Sequence, residues 1–150
     1  MRDGGGLWRL SYQNIDKPEL GGTLTLLLDG TEAPYLNKPD NMMIDEEGHL
    51  LIQEDPGNNA HVARILSYRI GKGDLKTIAQ FDKAQFTTGL PGFITLDEES
   101  SGIIEVREGE FLFDAQVHKA TTDPETVELG QLLKMTVDFD AVYGEDGSKS

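Results

Sequence analysis

Short apolar runs separated by turn-forming residues make up most of this chain, and the stretch 39–59 is the most complete example. It holds an apolar run at 41–44, a turn segment at 45–48 and a second run at 49–53, followed by acidic, proline and glycine residues. Two short runs flanking a tight turn predict a β-hairpin. The polar residues before and after the hairpin then meet at one end, which is the first place to look for function.

The same spacing continues along the chain and predicts an all-β fold. No window shows a sustained helical period, and the runs are short, β-branched or aromatic and bounded by turn signals. Residues 82–95 form a longer connection, and residues 144–150 are typical of a disordered tail. The predicted strands are 7–12, 23–28, 41–44, 49–53, 63–70, 75–81, 102–106, 110–117 and 131–137.

An internal repeat organises these strands into four-stranded antiparallel meanders. Segment 47–52 aligns with 108–113, and segment 10–12 echoes 66–68. A repeat of about 50 to 65 residues indicates β-propeller blades, although the period exceeds that of the best-known propeller repeats.

The blades implied by this repeat do not complete a ring. Residues 7–28 supply the last two strands of one blade, 41–81 all four strands of a second, and 102–137 three strands of a third. A ring usually needs at least four blades, so about two to two and a half leave it open. Three explanations fit: a fragment of a longer protein, a homodimer whose second copy completes the ring, or a different β-barrel or sandwich.

Composition narrows the function classes. The 150 residues, 37% hydrophobic and 27% charged, suit a single β domain over 1–150. With 27 acidic against 13 basic residues and a net charge of −14, the chain lacks the basic footprint that nucleic acid binding needs. This charge is compatible with cation binding and with plain solubility.

The cysteine content and the hydropathy of the sequence exclude further classes of site and of protein. The absence of cysteine rules out disulfides and cysteine-based zinc sites. The sequence has no apolar run long enough for a membrane span and no signal-peptide h-region at its start, so we expect a soluble chain that does not interact with membranes.

Propeller geometry gathers the chemically interesting side chains on one face. Loops between blades, and loops between the second and third strands of a blade, open on the same face of the ring. The turns at 45–48 and 107–109 fall on the opposite face, where turn formation explains their composition. The residues on the shared face are Asp40, Asn41, Glu54, Asp55, Asn58, Asn59, His61, Asp97, Glu98, Glu99, Asp114, Gln116 and His118.

Oxygen-rich loops of this kind favour hard cations. Calcium takes six to eight oxygens from carboxylates, amides and backbone carbonyls, and paired metals can clamp a phosphate oxygen. A turn and a solvated acidic run are the simpler interpretations of the same segments. An aspartate inside the apolar run 111–116 is costly unless it is paired, ligated or at the rim. The candidate metal ligands are Glu54, Glu98, Glu99, Asp55, Asp40 and Asp114, and the candidate substrate or metal contacts are His61, His118 and Asn41.

Four segments in order, 39–59, 97–104, 111–118 and 130–133, resemble the C-terminal part of the PhoX-type alkaline phosphatase family. The resemblance covers roughly residues 39–137. It implies a β-propeller whose axial cluster of calcium and iron hydrolyses phosphate monoesters, usually in periplasmic or secreted bacterial proteins. Among the candidate ligands it favours Glu54 and either Glu98 or Glu99, ahead of Asp40, Asp55 and Asp114.

The chain also departs from that family. Its members are several times longer, carry an export signal and use a cysteine near the iron, whereas this sequence has no cysteine. We therefore expect the C-terminal segment of a metal-dependent phosphomonoesterase, one that supplies carboxylate ligands and is inactive alone. The rival is a non-enzymatic, calcium-stabilised β-propeller or β-scaffold used for binding. His49, next to a turn, is expected to be exposed or structural.

Overall fold

The structure, a computed structural model, describes residues 5–55, 61–125 and 127–144. Strands dominate these ranges, joined by two short helices and one 3-10 turn at Pro18–Leu20. The helices are α1 (Lys83–Phe86) and α2 (Phe139–Tyr143), and among the described residues no helix is long and apolar enough to cross a bilayer. The strands are β1 (Leu7–Tyr12), β2 (Gly22–Leu28), β3 (Pro39–Ile44), β4 (His49–Glu54), β5 (Arg64–Arg69), β6 (Asp74–Gln80), β7 (Glu98–Arg107), β8 (Glu110–Ala120) and β9 (Glu128–Thr136).

These strands form three open antiparallel sheets, each a simple meander. Sheet A contains β1 and β2, sheet B contains β3 to β6 in chain order, and sheet C contains β7 to β9. The sequence prediction of a mostly β fold, with strands grouped as two, four and three, is therefore confirmed.

The hairpin of β3 and β4 has the predicted form. Ile44 lies opposite Leu50, and Gly48 takes a φ of +88°, which suits a residue without a Cβ. The Oδ1 atom of Asp45 accepts hydrogen bonds from the backbone N–H groups of Glu47 (3.0 Å) and His49 (2.8 Å). The turn segment is thus explained by its own hydrogen bonds.

Sheet B is the middle layer, because β4 buries side chains on both of its faces. Leu50 and Ile52 pack with residues of sheet A, and Leu51 packs with residues of sheet C. The first cluster comprises Leu7, Leu28, Leu36, Leu50, Ile52, Leu66, Tyr68 and Leu75. The second comprises Leu51, Ile65, Ile103, Phe111, Phe113 and Ala115.

Strand β7 begins four residues earlier than the predicted start at 102. The ladder with β8 continues backwards to the end of the predicted strand 110–117 and pairs Glu98 with Val117 and Glu99 with Gln116. Glu98 and Glu99 are consequently strand residues, and the prediction that they lie in a loop before the strand is wrong.

Helix α2 follows β9 and fastens sheet C to sheet B. The ring of Phe139 stacks on that of His49, with centroids 3.8 Å apart, and meets Phe111 edge-on at 6.3 Å. The Tyr143 hydroxyl donates to Ser67 Oγ over 2.8 Å. His49 is buried and its Nδ1 lies 2.8 Å from Asp45 Oδ2, so its role is structural. Of the expected tail at 144–150, residues 145–150 lie outside the described ranges.

Candidate metal centre

The polar ends of β3, β4 and β7 come together at the end of sheet B that is opposite the turn at 45–48. The backbone N–H of Asp55 donates to the carbonyl of Lys38 over 2.9 Å, which closes the hairpin at this end. Asn41 Nδ2 donates to Asp40 Oδ2 at 2.8 Å and to Ser101 Oγ of β7 at 3.1 Å. Residues from two separate sheets therefore meet at this point.

Three carboxylates interact here and form what we call the carboxylate cluster: Asp40, Asp55 and Glu99. Burial raises the pKa of Glu99, and the nearby charges of Asp55 and Asp40 raise it further. His118 opposes this increase, with its Nε2 3.5 Å from Glu99 Oε1. Burial is the larger cause of this rise, and the contributions of Asp55 and Asp40 indicate that negative charge is gathered around Glu99.

Glu98 lies on the opposite face of the same strand and is 1% exposed. Its Oε1 accepts a hydrogen bond from the backbone N–H of Ala63 at 3.0 Å, while its Oε2 is buried without a partner among the described residues. Burial raises the pKa of Glu98, and Asp97 adds to that effect. An unpartnered buried carboxylate oxygen is unfavourable, so this site is one where a proton or a cation would be stabilising.

Glu54, also 1% exposed, is engaged by a single arginine. Arg64 donates from Nε to Oε2 at 2.8 Å and from Nη2 to Oε1 at 2.6 Å, and the Asn37 N–H donates to Oε1 at 3.1 Å. His61 Nε2 lies 3.4 Å from Oε2. Both oxygens of this predicted metal ligand are therefore already hydrogen-bonded.

His118 connects the carboxylate cluster with β9. Its Nδ1 lies 2.9 Å from Glu128 Oε2, and hydrogen bonding to Glu128 is the main reason that the pKa of His118 is raised, with Glu99 adding to it. The imidazole is thus held in its protonated form more strongly than an isolated histidine. When protonated, it supplies one positive charge beside the carboxylates.

The other predicted site residues are placed differently. Asp114 is exposed and lies opposite Ser101 in the sheet C ladder, on the same face as Glu99. This position removes the cost of burying a carboxylate within an apolar strand. Asn58 and Asn59 fall outside the described residues.

Two buried polar side chains were not anticipated. Gln53 is fully buried, accepts from the Ile103 N–H at 3.4 Å and leaves its Nε2 without a partner in the described chain. Ser100 is 3% exposed, and its Oγ is likewise unpartnered there. In the sequence, Gln53 stands next to Glu54 and Ser100 stands next to Glu99. A polar residue beside a predicted glutamate ligand was therefore the feature that could have indicated them.

The donor set suits a hard cation. Within the ranges that the structure describes, no three His, Asp or Glu side chains are arranged ready to hold a metal ion. The orphaned Glu98 oxygen and the negative charge gathered around Glu99 nevertheless fit calcium, which binds carboxylate oxygens through flexible coordination. His61 is the nitrogen donor near this end that would suit iron, and His118 would do so only after losing its proton.

No family model, no curated protein and no solved structure matches this chain. The geometry and the sequence resemblance are therefore the grounds on which a function is inferred.

Proposed function

We propose that this chain is a segment of a PhoX-like, metal-dependent phosphomonoesterase, in which it supplies carboxylate ligands to a calcium- and iron-containing centre. The motifs within residues 39–137 support the family, and the two, four and three strand grouping suits successive propeller blades. On this proposal the remaining blades come from the rest of a longer protein or from a second copy.

One observation carries the proposal: a buried glutamate with an orphaned oxygen lies on the same strand as a cluster of repelling carboxylates. Glu98 gives the orphaned Oε2, and Asp40, Asp55 and Glu99 give the cluster. A divalent cation at the cluster would offset its negative charge, and a second cation, on the other face of β7, would satisfy the orphaned oxygen. An ordinary structural end of a sheet would have its buried carboxylate fully hydrogen-bonded.

The residues divide into roles on this basis. Glu99, Asp55 and Asp40 would hold calcium, with Asn41 and Asp114 adding oxygen at the periphery, and Glu98 would bind a second cation on the other face of β7. A bound metal supplies electrostatic stabilisation of charge on a phosphoryl oxygen. His118, whose pKa is raised by its hydrogen bond to Glu128, can when protonated orient an anionic substrate by hydrogen bonding.

Glu54 has a different part in this arrangement. Arg64 neutralises its charge and also donates to the carbonyls of Pro34 (3.1 Å) and Tyr35 (2.8 Å). The pair fixes the loop before β3 against the start of β5. Glu54 then positions the end of β4 and leaves cation binding to the carboxylates around it, unless the metal displaces Arg64.

Calcium titration tests the metal part of the proposal. Calcium added to the chelator-treated chain should raise the melting temperature. A calcium concentration of 100 times the Kd should add about 2.7 kcal/mol to the free energy of unfolding. The Glu98→Gln variant should weaken this response, whereas Glu46→Gln, in the exposed turn at the other end, should retain it. An unchanged response in Glu98→Gln would remove Glu98 from the site.

Hydrolysis of p-nitrophenyl phosphate tests the enzymatic part. With calcium and iron, a longer polypeptide containing this chain and its natural flanking sequence should be active, and the chain alone should not. Glu98→Gln should lower the activity of the longer protein and Glu46→Gln should not. Calcium binding without any phosphatase activity in the longer protein would favour the non-enzymatic, calcium-stabilised scaffold instead.

A further inference from the structure

Strand β9 presents a long free edge. In the part of the chain that the structure describes, β9 pairs only with β8, so sheet C ends at β9 with three strands where sheet B has four. Eight of its nine residues are exposed, including Leu132 at 70%. An edge of this length offers a row of unsatisfied N–H and C=O groups to another strand.

Natural edge strands are usually protected against such pairing, and β9 has little protection. It contains no proline, and its ladder with β8 is regular from Leu129 to Thr136. Only two of its residues, Glu128 and Lys134, are charged. Proline, bulges or several charges would be expected if the edge had to remain free.

The sequence of β9 is complementary to itself in one antiparallel register. When Gln131 lies opposite Gln131 of a second copy, Glu128 faces Lys134 and Leu129 faces Leu133, and each pair occurs twice. Shifting the centre to Leu132 places Glu128 opposite Thr136 and loses both charge pairs. Opposite charges and apolar pairs across strands stabilise a sheet.

Both charged side chains have bonding capacity left for this contact. Lys134 Nζ lies 2.8 Å from Glu110 Oε1 within the same sheet, and an ammonium group has three donors. Glu128 uses Oε2 for His118, which leaves Oε1 able to accept. Neither residue has to abandon its present partner to reach a second copy.

We propose that β9 joins two copies of this chain through antiparallel β9–β9 pairing about a two-fold axis at Gln131. The product is a continuous six-stranded sheet, with the core face of each sheet C extended by Leu129 and Leu133 of its neighbour. Such an isologous contact uses one surface twice and closes at the dimer. The association does not depend on metal binding or on phosphatase activity.

Cysteine cross-linking reads out the register directly, because the chain has no cysteine of its own. Gln131→Cys places two thiols directly opposite each other, within the Cα separation that a disulfide spans. Under mild oxidation it should form a covalent dimer much faster than Leu132→Cys or the exposed control Lys17→Cys. Faster cross-linking of Leu132→Cys would overturn the register, and equal rates in all three would overturn the interface.

Charge reversal tests the same contact at equilibrium by sedimentation. Glu128→Lys and Lys134→Glu should each raise the dimer Kd on the order of tenfold or more, because each creates two like-charge pairs. The double variant Glu128→Lys/Lys134→Glu should restore association, while the control Lys17→Glu should leave it unchanged. Melting curves verify that each variant is folded.

The remaining outcomes overturn the proposal. A wild-type chain that stays monomeric up to about 100 μM, far above the Kd of a specific dimer, would rule out β9–β9 pairing. A dimer insensitive to both reversals would place the contact on another surface.

Discussion

Arg64 holds both carboxylate oxygens of Glu54, at 2.8 Å and 2.6 Å, across the ends of neighbouring strands β4 and β5. Glu54 is 1% exposed, and the side chain of Arg64 is 13% exposed. A pair this deeply buried is far more sensitive to the loss of one partner than a surface ion pair.

Removing Arg64 should therefore greatly lower the free energy of unfolding. Arg64→Met removes the arginine that binds both oxygens of the buried Glu54 carboxylate, and we expect a loss of about 3–5 kcal/mol in the free energy of unfolding. Urea denaturation measures this directly. Arg9→Met, at an exposed site on β1, should cost less than about 0.5 kcal/mol.

The double variant Arg64→Met/Glu54→Leu separates charge burial from packing. Replacing both partners by apolar groups removes the uncompensated charge, so we expect it to recover most of the lost stability. If the double variant were as unstable as Arg64→Met, packing of the arginine stem would explain the loss instead.

The contribution of Glu98 to the stability of the metal-free chain should fall as pH rises. Its folded pKa is raised above the ordinary value of 4.5 by burial, so the folded chain retains a proton that the unfolded chain releases. The penalty is absent below about 4.5, grows as pH rises and is complete above the folded pKa. Urea denaturation of Glu98→Gln in chelator should show a gain over wild type that increases across this window.

His118 extends the same trend to higher pH. Its raised pKa contributes stability that is fully present below 6.5 and is lost as pH rises through the folded value. His118→Gln should flatten the stability profile above pH 6.5 and leave the Glu98 window unchanged.

A gain in Glu98→Gln that did not vary with pH would mean that Glu98 is ionised at no cost in the folded chain.

The strands could be predicted because alternation and turn chemistry are local. The hairpin of β3 and β4 needs only its own apolar runs and the turn at 45–48, and both are visible in the sequence. The bonding state of Glu54 could not be read in this way, since it depends on Arg64, ten residues away on the next strand. The β4–β5 register is the missing information.

Long-range pairing also determines whether Glu98 is buried or exposed. As a sequence, residues 97–99 are equally typical of a solvated acidic run. The buried position of Glu98 depends on its pairing with Val117 of β8 and on the N–H of Ala63, which is 35 residues away. Helix α2 was missed because five residues are too few to show a helical period.

Sheet A carries an uncovered apolar face. Trp8, Leu10, Tyr12, Leu24 and Leu26 share this face and are 44–60% exposed, whereas Leu28 at the base is 2% exposed. Leu24→Gln should change the free energy of unfolding by less than about 0.5 kcal/mol. Leu28→Ala should cost about 2–5 kcal/mol.

The single tryptophan reports on the same face. Trp8 should show red-shifted emission and be readily quenched by acrylamide in the isolated chain, because half of it is in contact with water. The β9–β9 contact does not involve this face, so dimerisation should leave the spectrum unchanged. Blue-shifted, protected emission would show that another surface covers sheet A.

The aromatic side chains of helix α2 should hold sheets B and C together. Phe139→Ala removes a ring stacked on His49 and in edge contact with Phe111, so we expect a loss of about 2–4 kcal/mol. Tyr143→Phe keeps the ring that lies under Arg69 (4.1 Å) and loses only the hydrogen bond to Ser67, which should cost about 1 kcal/mol.

A double-mutant cycle isolates the stacking between His49 and Phe139. The variants His49→Leu, Phe139→Leu and the double change, compared by urea denaturation, should give a coupling free energy of about 0.5–1.5 kcal/mol. Asp140→Asn, exposed on the same helix, controls for general effects on α2 and should couple to neither. A coupling of zero would mean that Phe139 fills space without any specific interaction with the imidazole. The attachment of α2 to sheet B would then depend on Tyr143 and its hydrogen bond to β5.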